Sequence, residues 1–147
     1  MNELVKVLVS GVGTTGVAMI FKIRKKYILL VAIGGVLVSG IYANIYNAFD
    51  NLFLASIVGA IFAGIWSEIM ARIMKAPANI FLIPGIIPLL PGGNLFYTMY
   101  WLIQGNHDQF VLYRNNTIQI TFGVVAGTLI ASVVFVYLWT IVIKLRR

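Results

Sequence analysis

A chain of 147 residues that is 61% hydrophobic and only 10% charged carries too little polar surface to coat a soluble fold. Its formal charge of +7 lies in the gaps between apolar runs rather than on one basic face, which excludes a nucleic-acid-binding module. Cysteine is absent, which excludes a disulfide frame, a thiolate metal site and a cysteine nucleophile. The composition is that of an all-α integral membrane protein. The sequence predicts one transmembrane domain over residues 1–147, with about five spans embedded in the lipid bilayer.

The first span is predicted over residues 4–21. Acidic Glu3 precedes it and no small-residue cleavage site follows, so it reads as a retained span rather than a signal peptide. It contains Gly11-Val12-Gly13-Thr14-Thr15-Gly16, a match to G-x-G-x-x-G. That motif holds a dinucleotide only between a strand and a helix, with an acidic residue some twenty positions on. Here it lies inside an apolar run, and the next acid is Asp50. The glycines are read as contact points between helices, and no cofactor is expected. Lys22, Arg24, Lys25 and Lys26 follow, the densest cationic cluster, read as a cytoplasmic loop that also suits anionic lipid head groups.

The second span is predicted over residues 27–45, with Gly34, Gly35, Ser39 and Gly40 as a small patch and Tyr42 and Tyr46 in the interfacial belt. Asp50 and Asn51 form a short turn, with Asn51 placed to cap the third span, residues 52–74. That span carries two small ridges at four-residue spacing: Ala55, Gly59 and Ala63, beside Ser56, Ala60 and Gly64. Glu68 and Arg72 also lie four apart, which predicts an ion pair on one helix face. A carboxylate inside a span also makes Glu68, with Arg72, the candidate for coupling or gating.

Residues 77–104 are apolar yet contain Pro77, Pro84, Pro88 and Pro91. Each proline removes a backbone donor and crowds the preceding turn. Lipid offers no replacement hydrogen bonds, so broken backbone at membrane depth must be covered by protein or line a wet cavity. The sequence predicts a short helix from Pro77 to Ile83, disturbance at Pro84, Gly85 and Pro88, a turn at Pro91-Gly92-Gly93, and a second half-helix from Leu95 to Gln104 capped by Asn94. The two halves are expected to meet near the midplane. If this segment crosses, Lys22, Arg24, Lys25, Lys26, Arg72, Lys75, Lys144, Arg146 and Arg147 are all cytoplasmic and Arg114 is outside. That arrangement obeys the positive-inside rule better than a re-entrant loop does, and it places the N-terminus outside and the C-terminus in the cytoplasm.

Residues 105–117 read as a polar loop. His107 and Asp108 adjoin there, but one histidine and one aspartate make no metal site. Asn115-Asn116-Thr117 matches the glycosylation sequon, which matters only in a secretory pathway. The last span is predicted over residues 118–143, with Gly123, Gly127 and Ala131 as a third small ridge. No serine–histidine–acid set or carboxylate pair supports catalysis.

The broken segment resembles the threonine/serine exporter family. The resemblance rests on Arg72, Ala76-Pro77, the run Phe81-Leu82-Ile83-Pro84-Gly85-Ile86-Ile87-Pro88-Leu89-Leu90-Pro91-Gly92, and Tyr97-Thr98-Met99. More narrowly, the chain is similar to the small membrane subunit of the two-component members. The resemblance implies a prokaryotic plasma-membrane exporter of threonine and serine or of a succinate-like dicarboxylate. It also implies a larger partner subunit; a homo-oligomer is the other assembly considered. For such a carboxylate, a half-helix N-terminus supplies unpaired N–H groups and partial positive charge. Pro91, Gly92, Gly93 and Asn94 are the expected cradle, with Thr98 one turn on and Asn79 contributed by the other half-helix. The alternative is a scaffold that assembles or stabilises a partner membrane protein through the small ridges.

Overall fold

The computed structural model describes residues 3–145, and the side chains of residues 5, 7–135 and 137. The fold is an all-α bundle. Its helices are α1 (Glu3–Ile20), α2 (Lys25–Phe49), α3 (Leu52–Met74), α4 (Asn79–Ile86), α5 (Gly92–Ile103) and α6 (His107–Leu145), with a 3₁₀ turn at Ile87–Leu89. Among the described residues, α2, α3 and α6 are long and apolar enough to cross a membrane, and the bent segment from Asn79 to Ile103 makes a fourth. The apolar part of α1, Val7–Ile20, is shorter. Helix length therefore gives three or four crossings rather than the five read from hydropathy, because a perpendicular crossing needs about 20 apolar residues.

Helix ends explain the order of the chain. The Asn51 side chain accepts from the Leu54 N–H at 3.0 Å, so α3 starts at the expected cap. At the other end, Lys75 has φ +50, and the Ala76 N–H reaches back to the Ala71 carbonyl at 2.9 Å. Lys22 ends α1 in the same way, with φ +52 and the Ile23 N–H on the Ala18 carbonyl at 3.0 Å. This hydrogen-bonded turn normally carries glycine at the left-handed position. Two lysines occupy it here, at the same end of the bundle.

Neighbouring helices pack antiparallel through small residues. Gly11 of α1 lies against Val36 of α2, Thr14 against Gly35, and Val7 beside Gly40. Gly34 of α2 lies against Trp66 of α3, and Tyr42 lies beside Gly59. The α3–α6 pair differs. Ser56 faces Gly123, Ile57 and Ala60 face Gly127, and Gly64 faces Ala131. Residue numbers rise together on both helices, so α3 and α6 run parallel. The bent segment between them must therefore return the chain to the end where α3 begins. Two apolar clusters fill the interior. One joins Val38, Ala60, Ala63, Leu89, Ile120 and Val124; the other joins Ala18, Tyr27, Val31, Ala71 and Phe81.

Several boundaries differ from the sequence reading. Residues 107–117 are the start of α6, not a loop; the connection shrinks to residues 104–106, with Gly105 at φ +71 and the Asn106 side chain accepting from the Gln109 N–H. The stretch contains no helix breaker after Gly105, and Tyr97 of α5 stacks on Tyr113 at 5.1 Å. Tertiary packing thus holds a polar helix that hydropathy reads as loop. Pro77 precedes α4 by two residues instead of opening it. Pro84 does not end the helix, which continues to Ile86 before tightening into the 3₁₀ turn. The buried Phe81 ring, edge-on to Tyr27 at 5.5 Å, pins this short helix to α2. Arg146 and Arg147, and the side chains of Lys6 and Lys144, lie outside the described residues.

Candidate functional site

The bent segment turns by 46° between Leu89 and Gly92. Leu90 is extended, and Pro91 (φ −80, ψ 47) occupies the centre of a tight turn in which the Gly92 N–H donates to the Leu90 carbonyl at 2.8 Å. One side of this break is sheltered. Pro84, Gly85, Leu89 and Pro91 are buried, and Leu89 packs against Gly59 of α3. The other side is open: Leu90, Gly92 and Gly93 are exposed. Gly59 is the eighth residue of α3, so Leu89 lies about 10 Å below the α2–α3 turn by the helical rise.

The start of α5 has donors to spare. The Leu95 N–H bonds the Pro91 carbonyl at 2.9 Å, whereas the Gly93 and Asn94 N–H groups have no acceptor among the described residues. Asn94 is not the cap that its side chain suggests. Pro91 holds the N-cap position and makes no side-chain bond, so Asn94 falls on the third helical residue. Its carbonyl accepts the Thr98 hydroxyl at 2.7 Å, and its side-chain amide has no partner among the described residues. Gly92 and Gly93 have nothing within 4 Å of where a Cβ would stand. Pro91, Gly92, Gly93, Asn94 and Thr98 therefore share the first two turns of α5. They present free N–H groups, a free amide and the positive end of a helix dipole, about half a unit charge, beside unobstructed space.

Asn79 is elsewhere. It opens α4, ten residues before Leu89 and so about 15 Å from the break along the helix. It lines a separate crevice of about 180 Å³ with Phe21, Ile23, Ile80, Ile83 and Pro84. Pro84 lines this crevice and is buried, Gly85 beside it is buried too, and Pro88 is half-buried within the 3₁₀ turn that leads to the break.

At the cationic end, Glu68 Oε2 accepts from Arg72 Nη1 at 2.7 Å, the predicted i,i+4 pair. Sequence reasoning missed its third member. The Arg72 guanidinium also lies 4.2 Å from the Phe135 ring centroid, tying α3 to α6. Only the parallel register of the two helices brings these residues together. In the G-x-G-x-x-G stretch, Gly11 admits Val36, whereas a Cβ at Gly13 or Gly16 would meet nothing within 4 Å among the described residues. The Thr14 and Thr15 hydroxyls bond the Ser10 and Gly11 carbonyls of their own helix, at 2.7 and 2.8 Å. The indole N–H groups of Trp66 and Trp101 are buried without partners among the described residues. Among the described residues no histidine or acid side chains gather as a metal site.

A profile described as Threonine/Serine exporter, ThrE, matches residues 6–134, most of the chain and all of the bent segment. The chain belongs to this family. The threonine/serine exporter family is one of transporters, not of enzymes, and this member is a multi-pass helical membrane protein. No curated protein and no solved structure matches the chain.

Proposed function

We propose that the chain is the small membrane subunit of a two-component exporter in a prokaryotic plasma membrane, moving a small carboxylate-bearing metabolite together with a larger subunit. Threonine, serine or a succinate-like dicarboxylate is the substrate class. One observation carries the reading: in a threonine/serine exporter family member, the broken segment leaves two backbone N–H groups of α5 unpaired beside open space. A carboxylate satisfies such donors and sits favourably at the positive end of a helix dipole. Pro91 sets the turn, Gly92 and Gly93 keep it open, the Gly93 and Asn94 N–H groups bind the acid, and Thr98 and the Asn94 amide read the rest of the substrate. Asn79 belongs to a different step of the path, at the far end of α4. Glu68 and Arg72, latched to Phe135, are the coupling or gating pair.

The parallel course of α3 and α6 supports a full crossing by the bent segment, since a re-entrant loop would leave α6 antiparallel to α3. With α1, that makes five spans, the N-terminus outside and the cationic end in the cytoplasm. The absence of native cysteine makes this testable by single-cysteine labelling. Asp50→Cys and Gln109→Cys should react with an impermeant maleimide from outside intact cells, and Lys75→Cys only after permeabilisation. Labelling of Asp50→Cys and Lys75→Cys from the same side would overturn this topology.

The rival reading is a scaffold that assembles a partner without carrying substrate. The small ridges that suggest it are already occupied inside the chain: Gly64, Gly123 and Gly127 are consumed by the α3–α6 contact. Reconstitution separates the two. Asn94→Ala and Thr98→Val should each raise the KM for export several-fold with the partner present, on the scale of about 1 kcal/mol for one lost hydrogen bond. A scaffold would export normally with both changes.

A further inference from the structure

Beside the α1–α2 turn lies a groove unrelated to the break. Thr15, Met19, Ile23, Lys25, Ile28, Leu29 and Ala32 line an open, shallow groove of about 660 Å³, within the range of about 300–1,000 Å³ found for small-ligand sites. Its walls are apolar. Its only polar depth, the Thr15 hydroxyl, is quenched by the Gly11 carbonyl at 2.8 Å. Its mouth is cationic: Lys25 lines it, and Lys22, Arg24 and Lys26 flank it along the chain. The turn that displays these charges is fixed rather than free. Lys22 holds φ +52, the Ile23 N–H is bonded to the Ala18 carbonyl at 3.0 Å, and the Tyr27 N–H to the Arg24 carbonyl at 2.8 Å. The left-handed backbone is disfavoured for lysine and unstrained for glycine. Ile23 also lines the smaller crevice beside Asn79, so it stands as a ridge between two apolar recesses under one basic turn.

We propose that this groove is a binding site for one anionic phospholipid, its acyl chain along Met19, Ile28, Leu29 and Ala32 and its phosphate on Lys25 and the basic turn. The charges decide the occupant. A partner helix would need no cations at the rim, and a zwitterionic lipid would gain little from them. Basic recesses between helices on the cytoplasmic side recognise anionic head groups in this way.

The test uses the delipidated full-length chain in detergent, offered equal amounts of dioleoyl phosphatidylglycerol and dioleoyl phosphatidylcholine, with bound lipid counted by native mass spectrometry. The wild type should retain one phosphatidylglycerol in preference to phosphatidylcholine. Lys25→Gln should cut that preference about fivefold, the weight of one surface cation. Lys75→Gln, at the same end but away from the groove, should leave it unchanged. Ala32→Trp should expel both lipids, and excess inorganic phosphate should not. Lys25 is exposed, so its substitution tests the site even if Ala32→Trp disturbs folding. Equal retention of the two lipids, equal effects of Lys25→Gln and Lys75→Gln, or displacement by phosphate alone would overturn the proposal.

Discussion

Gly92→Leu and Gly93→Leu are expected to insert and fold like the wild type and to lose export by at least about tenfold. The two halves of that expectation have separate physical origins. Neither glycine adopts a left-handed backbone, and a Cβ at either position meets nothing within 4 Å. Both open α5, where leucine is a better helix former than glycine by about 0.5–1 kcal/mol. Stability should therefore hold or rise slightly. The same open space is where an acid group would approach the Gly93 and Asn94 N–H groups. A leucine side chain fills it and removes the donors from reach. A loss of about 1.4 kcal/mol in substrate binding is a tenfold loss in affinity. Thermal unfolding in detergent reads the first half, and efflux with a working partner reads the second. Normal export by both variants would leave the cradle without support.

Gly127→Leu is expected to do the reverse, damaging the fold first. A Cβ there would stand 2.5 Å from the Ile57 carbonyl oxygen and 2.7 Å from the Ala60 Cβ. Gly123 meets the Phe53 carbonyl at 2.9 Å, and Gly64 meets the Ala131 Cβ. Backbone cannot move aside as a flexible side chain can, so α6 would have to shift along its contact with α3. Overpacking costs about 1–3 kcal/mol where the neighbours can adjust, and this site should exceed that range. The expected result is a markedly lower melting temperature, with export falling in proportion to the folded fraction. A wild-type melting curve would mean that α3 and α6 do not pack in this register.

These contrasting glycines show what the sequence could and could not disclose. The bounds of α3 were readable to the residue, because Asn51 caps one end and the apolar run stops at the other. The break was readable from its prolines, since few other arrangements tolerate them inside an apolar stretch. The partners of the small ridges were not. Four-residue spacing marks a contact face without naming what lies on it, and the α3–α6 pairing joins helices separated by the whole bent segment. The same distance in sequence hid Phe135 from Arg72. Asn94 misled for a local reason: Pro91, with no side-chain bond to offer, took the N-cap position and left the stronger capping residue inside the first turn. The start of α6 misled because its polar residues are compatible with helix once α5 packs along them. It continues past the α2–α3 turn by about 18 Å, by the rise of residues 107–119.

The central claim is that the break in the chain recognises an acid group. Efflux from proteoliposomes holding this chain and its larger partner tests it most directly, by comparing labelled serine with its neutral-headed amide. The account predicts rapid loss of serine and at least about tenfold slower loss of the amide, a difference abolished by Gly93→Leu. Equal efflux of serine and its amide by the wild-type pair would contradict it.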